Sequence, residues 1–237
     1  TALYPNINIL NKSLESSGAE IITLAIRRLN LTVKNNFLSQ IDKKFTLLPN
    51  TAGCYTKKEA ILTAELARET LKTNWIKLEL ISDKEYLLPD PLELYDTCKV
   101  LLKKKFKIFA YCSDDPILCK RLEDLGCEVV MPLISPIGSG LGVRNKHNLE
   151  IIRKMCSGKI FVDAGIGKPS DASKVMEMGF DGVLLNSSVA RSFDPIKMSE
   201  AMKLAVISGR IGFNSGFIER SKLASNSTTF KGKISNF

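Results

Sequence analysis

The segment Lys107–Leu133 reads KIFAYCSDDPILCKRLEDLGCEVVMPL. An apolar, β-favouring run over Lys107–Tyr111 leads into Asp115-Pro116. A helical pattern follows over Pro116–Leu125, Gly126 ends it, and a second apolar run covers Glu128–Leu133. Asp before Pro marks a helix start, because the carboxylate accepts exposed N–H groups and Pro has no N–H to leave unpaired. Gly just past the last turn is a stop. Strand, helix and strand with no hairpin turn form a βαβ unit, whose strands run parallel. Both runs are almost continuously apolar, as in strands covered on both faces.

The same grammar extends in both directions. Further strands are expected at Glu20–Ile26, Phe45–Pro49, Trp75–Ile81, Ile160–Asp163 and Gly182–Leu185. Helices are expected at Ile7–Ser17, Lys57–Leu71, Pro91–Lys104, His147–Cys156, Ser170–Met178 and Pro195–Ile207, with Ser170 as an N-cap. Asp90-Pro91 and Asp194-Pro195 repeat the start signal and Gly179 the stop. Seven strands alternating with helices fit an open doubly wound sheet or a closed barrel. A helix ahead of the first strand implies one more strand before it, which makes eight βα units. The expected class is therefore an α/β (β/α)8 TIM barrel whose first strand is missing from this chain. Residues 1–220 form one barrel domain on this reading, and 221–237 a polar, flexible tail.

Composition narrows the function classes. The chain has 237 residues, 44% hydrophobic and 25% charged, enough for a sizeable core. No apolar run is long enough to span a bilayer, and no export signal opens the chain. The net charge of +9 is spread along the sequence, which fits a solvated Lys-rich surface better than a nucleic-acid footprint. Lys103–Lys105, the densest cationic run, falls at a helix end, where cations complement the dipole. Six cysteines form no C-x-x-C pair and have one histidine, His147, for company, so a zinc site is not expected. Scattered thiols suit a reducing compartment. Cys112, near a strand end, is either reactive or merely buried, and His147 is given no role.

In a barrel, chemistry sits at the C-terminal ends of the strands. Lys77 and Glu79 are two apart in an expected strand, so they share a face, roughly 6.6 Å apart along it. A charged lysine there is costly unless paired. It is either half of a structural ion pair or, with a fraction of neutral amine, a nucleophile that forms an imine with a carbonyl. Asp163 ends the next-to-last strand and is placed for general acid–base work. The Ala164-Gly165-Ile166-Gly167 turn after it lets backbone N–H groups approach a phosphate, or serves packing alone. Asn186-Ser187-Ser188 ends the last strand, and these two loops are where barrels most often hold phosphate. The loop Ser135–Gly142 (SPIGSGLG) is a third cradle or a plain flexible loop. Arg27 and Arg28 suit recognition of a carboxylate or phosphate, or a surface or subunit contact.

Several segments together carry a family likeness. They are SGAEIITLAIRR (Ser17–Arg28), LPNTAGC (Leu48–Cys54), TNWIKLEL (Thr73–Leu80), LLPDP (Leu87–Pro91), KRLEDLGC (Lys120–Cys127), VMPL with SPIGSGLG (Val130–Leu133, Ser135–Gly142), VDAGIG (Val162–Gly167), PSDA (Pro169–Ala172) and VLLN (Val183–Asn186). In order and spacing, to about Gly209, the chain resembles bacterial and plastid thiazole synthases. The resemblance implies a (β/α)8 barrel that joins 1-deoxy-D-xylulose 5-phosphate, dehydroglycine (iminoacetate) and sulfur from a thiocarboxylated sulfur carrier protein. The product would be the thiazole phosphate carboxylate of thiamine biosynthesis. It implies that Lys77 forms the imine and that Glu79 and Asp163 are the acid–base groups. The sugar-phosphate contacts it implies are Gly138, Ala164, Gly165, Asn186 and Ser187, with Gly167 in the same turn. Ser187 stands where the family often has Thr and keeps the hydroxyl. Ile134 stands where Gly is common, and only Thr1 remains of a Gly-Thr strand end.

No metal and no organic cofactor are implied. The family resemblance adds a homotetramer and, as a further partner, the dehydroglycine-forming enzyme. The expected location is a bacterial cytoplasm, or a plastid stroma. Two rival readings share parts of this pattern. A Schiff-base aldolase or phosphosugar isomerase would use the same lysine and phosphate loops. A non-catalytic phosphate- or nucleic-acid-binding protein would draw on the +9 charge.

Overall fold

The structure, a computed structural model, describes residues 3–28, 41–225 and 227. Helix α1 (Ile7–Ser17) precedes β1 (Ile21–Ala25), a short 3-10 turn (Ile26–Arg28) and β2 (Thr46–Asn50). Then come α2 (Lys57–Leu71), β3 (Trp75–Leu78), α3 (Pro91–Lys103), β4 (Lys107–Cys112), α4 (Pro116–Leu125) and β5 (Val129–Pro132). The chain continues through α5 (Lys146–Met155), β6 (Phe161–Asp163), α6 (Pro169–Glu177), β7 (Gly182–Leu184), α7 (Ser187–Ala190) and α8 (Pro195–Ser215). Strands β1 to β5 form one parallel sheet in sequence order, and β6 pairs with β7 in parallel. Bridges Val130–Ile160 and Leu133–Asp163 join the two groups. The result is a barrel-like α/β fold, as the alternation of elements predicts. Among the described residues β7 and β1 share no ladder, and a cavity of about 410 Å³ lined by Ile21, Thr23 and Leu184 runs beside them. The strand expected ahead of the chain, and most of the tail expected from Ser221, lie outside the described residues.

The helix signals act as expected. The carboxylates of Asp90 and Asp115 each accept two backbone N–H groups of the first turn, and Asp194 accepts one. Gly126 closes α4 in the left-handed conformation. Most elements differ from the sequence reading by a residue or so at their ends, and two helix ends differ for a visible reason. Helix α6 starts at Pro169 with Lys168 as N-cap, not Ser170, because Asp171 reaches back to accept the Lys168 N–H at 3.1 Å. Helix α8 runs on to Ser215, past the small residues Ser208 and Gly209. Gly209 is buried there and lets α8 close on Ser173 and Met176 of α6.

The pleat sorts side chains into two sets, since alternate residues of a strand face opposite ways. Ile76, Leu78, Ile108 and Ala110 face outward into the main core beneath the helices, with Leu94, Leu101 and Leu122. Trp75, Phe109 and Phe161 face inward beside Leu48, Met131 and Leu184. Their rings pack as an aromatic floor, Trp75–Phe109 tilted at 5.1 Å and Phe109–Phe161 edge-on at 6.2 Å between centroids. Two residues later on the same strands come Lys77, Tyr111 and Asp163. The polar layer thus stands directly on the aromatic one, and the cavity beside β1 and β7 reaches Phe109 and Phe161 from the far side.

Candidate active site

Lys77 points into the barrel from β3, and Asp163 from the end of β6. Nζ of Lys77 lies 2.5 Å from Asp163 Oδ2 and 3.7 Å from Glu79 Oε2. All three residues are buried: Lys77 is 6% exposed, Glu79 8% and Asp163 4%. Burial pushes the Lys77 ammonium down, but the Asp163 and Glu79 carboxylates outweigh it and hold its pKa above the ordinary lysine value. The resting amine is therefore protonated, and its proton is within reach of Asp163. Tyr111 completes the layer, with Lys77 Nζ 5.5 Å from its ring centroid. Burial first, then the Asp163 and Glu79 charges, push the Tyr111 phenol far up, so it keeps its proton. Its hydroxyl is buried without a hydrogen-bond partner among the described residues.

Strand β3 stops at Leu78, three residues short of the expected Ile81, for a specific reason. The buried Thr51 hydroxyl donates to the Glu79 carbonyl at 2.7 Å and accepts the Glu79 N–H at 2.8 Å. The Thr51 N–H donates to the Lys77 carbonyl at 3.1 Å. A side chain from the turn after β2 thus replaces the sheet ladder at the level where Glu79 leaves the strand. Sequence reading missed Thr51, because its partner lies 28 residues away.

Above these groups opens a cavity of about 660 Å³, within the range of small-ligand sites. Lys77, Glu79 and Asp163 line it together with Gly138, Ala164, Gly165, Gly167, Asn186 and Ser187, so every site residue expected from the sequence meets there. The turn after β6 and the loop after β5 interlock. Gly142 N–H donates to the Gly165 carbonyl at 2.8 Å, and the Ser135 hydroxyl to the same oxygen at 3.3 Å. Gly165 has φ +86°, and a Cβ there would fall on the Ser135 hydroxyl. Ala164 also holds a left-handed φ of +63°, strained for a residue with a side chain. The Gly167 amide donates to Asp171 Oδ2 at 3.1 Å, so Gly167 shapes this wall by letting Gly140 pack against it. Arg27, Asn50, Tyr55 and Arg191 also line the cavity, and of these the sequence pointed only to Arg27. The Arg27 guanidinium donates to the Gly53 carbonyl. The Arg28 side chain lies outside what is described.

Cys112 faces away from the barrel interior. It is fully buried, with its sulfur 3.7 Å from that of Cys119, and burial and Cys119 push its thiol well above the usual range. That is the inert alternative of the two the sequence left open. His147 is exposed on α5. Among the described residues no cluster of three or more His, Cys, Asp or Glu could hold a metal, and no helix is long and apolar enough to cross a membrane.

Comparison with known proteins bears directly on this arrangement. The family model described as thiazole biosynthesis protein ThiG matches residues 1–229. The chain belongs to the ThiG family. Among curated relatives, thiazole synthase of Geotalea uraniireducens (strain Rf4) is 48% identical over 237 residues, 99% of this chain and 91% of that protein. Thiazole synthase of Aquifex aeolicus (strain VF5) is 52% identical over 222 residues, covering 92% and 83%. The ThiG fold is also found in the BexX/CysO complex of Amycolatopsis orientalis, with a TM-score of 0.84, 22% identity, and coverage of 93% of this chain and 91% of that one. Phosphoribosyl anthranilate isomerase of Thermus thermophilus superposes with a TM-score of 0.57 at 10% identity, covering 86% and 96%. Membership of the ThiG family makes this chain a thiazole synthase of thiamine biosynthesis, a sulfur-transferring enzyme, as the sequence motifs imply.

Proposed function

We propose that Lys77 forms an imine with the ketone of 1-deoxy-D-xylulose 5-phosphate, and that Asp163 and Glu79 move the protons of the steps that follow. The buried ion triad on the cavity floor is the observation that carries this reading. A protonated lysine is no nucleophile, but its Nζ lies 2.5 Å from Asp163 Oδ2, within reach of proton transfer. Transfer to Asp163 frees the amine to add to the carbonyl carbon. Asp163 then returns that proton to the carbinolamine hydroxyl, which leaves as water as the C=N bond forms. The imine acidifies the adjacent C–H, and Glu79, whose Oε2 lies 3.7 Å from Nζ, removes that proton. Trp75, Phe109 and Phe161 form an apolar layer one step down the barrel from the amine.

The phosphate is assigned to the Gly138, Ala164–Gly165 and Asn186–Ser187 turns, with Gly167 contributing shape. Sulfur comes from the thiocarboxylated C-terminus of a sulfur carrier protein, and dehydroglycine supplies the remaining ring atoms. The pairing of BexX with CysO on this fold supports a carrier-protein partner. The dehydroglycine-forming enzyme is assigned as a further partner. Exposed Leu204, Ile207 and Ile211 on α8 support burial in a homotetramer. Residues 1–220 act as one barrel domain with a polar tail beyond, and the bacterial relatives support a bacterial cytoplasm.

Borohydride trapping with 1-deoxy-D-xylulose 5-phosphate, read by intact mass and peptide mapping, tests the reading. A reduced phosphosugar adduct on Lys77, lost in Lys77→Ala, is expected. Native protein that gives no adduct on Lys77 overturns it. Consumption of added thiocarboxylated carrier separates a thiazole synthase from an aldolase or isomerase with the same lysine.

A further inference from the structure

The cavity must hold a strongly anionic substrate above a floor that is already negative. Lys77 contributes one positive charge there, and Glu79 and Asp163 contribute two negative ones. A phosphate dianion adds to that deficit, and main-chain N–H groups carry only partial charges. Besides Lys77, the cationic side chains lining the cavity among the described residues are Arg27 and Arg191. Arg27 follows β1. It donates to the Gly53 carbonyl and feels the charge of Glu59. Arg191 is different. It caps the C-terminal end of α7 and makes no ion pair among the described residues.

The position of Arg191 is the second observation. Its Nη1 donates to the Gly138 carbonyl at a long 3.4 Å. From the point where a Cβ on Gly138 would stand, Arg191 Nη1 is 3.5 Å away, Ser187 Oγ 3.7 Å and Arg191 Nη2 3.9 Å. Guanidinium, hydroxyl and a turn with φ +74° thus converge on one small volume at the cavity wall. A side chain on Gly138 would occupy this spot, in van der Waals contact with both groups. A planar, permanently charged fork beside a hydroxyl matches the oxygens of a phosphate.

We propose that Arg191 is a phosphate-binding and specificity-determining residue, pairing with the sugar phosphate at the Gly138–Ser187 corner. The inference rests on reading this cavity as a sugar-phosphate site. In the complex the Arg191 guanidinium exchanges its long bond to the Gly138 carbonyl for the phosphate oxygens. It thereby selects phosphorylated over unphosphorylated ketoses.

The test uses the full chain as native protein, Arg191→Gln and Arg191→Lys, with two readouts. The first is borohydride trapping on Lys77 against the concentration of 1-deoxy-D-xylulose 5-phosphate and of 1-deoxy-D-xylulose. Loss of a charge-assisted bond should raise the half-saturating concentration of the phosphorylated sugar roughly 10- to 100-fold in Arg191→Gln. Arg191→Lys should recover part of it, and trapping of the unphosphorylated sugar should not change. The second readout is direct binding of inorganic phosphate by calorimetry, which needs no Lys77 chemistry. Native protein should bind it and Arg191→Gln should bind it more weakly by a similar factor. Equal losses for both sugars, or none for either, overturn the proposal, as does phosphate binding indifferent to Arg191→Gln. If native protein forms no Lys77 adduct yet binds phosphate through Arg191, the imine reading falls and the Arg191 site stands.

Discussion

Replacing Gly165 with alanine should separate the two loops that wall the cavity. The backbone there holds φ +86°, which costs a residue with a side chain roughly 1–2 kcal/mol. The added Cβ would fall on the Ser135 hydroxyl and lie 2.6 Å from the Ser135 nitrogen and 2.8 Å from its carbonyl oxygen. Backbone atoms cannot swing aside as a side chain does, so overpacking adds about 1–3 kcal/mol. The expected loss is about 2–5 kcal/mol, a large share of a typical domain's stability. Ala164 supplies the control. It is held at φ +63°, so Ala164→Gly removes roughly 1–2 kcal/mol of strain and returns about 0.4–1 kcal/mol of chain entropy to the unfolded state. Its net effect lies between neutral and slightly stabilising. Trp75 is the sole tryptophan and sits on the barrel floor, so its fluorescence follows denaturant unfolding. Sugar-phosphate half-saturation should rise with Gly165→Ala as the Gly142 and Ser135 bonds to the Gly165 carbonyl are disturbed. Native stability together with native half-saturation in Gly165→Ala would refute this account of the turn.

Asp163→Asn removes the first of the two charges that raise the Lys77 pKa, so burial weighs more and the pKa falls. The pH profile of borohydride trapping should shift toward acid, and an alkaline shift would contradict the sign. In the native protein, the raised Lys77 pKa gives stability that is fully present below the unfolded lysine value. That contribution is lost as pH rises through the folded value, and Lys77→Met should abolish this alkaline loss in denaturation measured across pH. Thr51→Val deletes both hydroxyl bonds to the Glu79 backbone and should cost about 1–3 kcal/mol in denaturation, with Thr51→Ser close to native. Phe109→Ala opens the middle of the aromatic floor and should cost roughly 3–5 kcal/mol, with a change in Trp75 emission.

The βα alternation was legible because three helices declare their start within two residues, as Asp115-Pro116 does, and the others show their burial over a few turns. Lys77 and Glu79 were legible for a similarly local reason: their period-two spacing pointed to one side of the chain, although the strand itself ends at Leu78. What local pattern does not carry is pairing across the chain. Thr51 acts on Glu79, and Arg191 meets Gly138 across 53 residues. Nothing in either neighbourhood marks the partner. The use of the Gly167 amide was readable in principle, since Pro169-Ser170-Asp171 has the acidic residue of a capping box at the third helical position. That carboxylate takes the amide that a Gly-rich turn would otherwise offer to phosphate.

The left-handed turn at Ala164–Gly165, locked to the loop after β5, has a consequence for how this site changes over time. A recognition surface made of main chain has few letters that can mutate. The constraint falls instead on residues whose only contribution is the atoms they lack. Innovation in what the pocket accepts therefore has to enter through the few side chains that reach over that fixed rim, while the rim itself stays as it is.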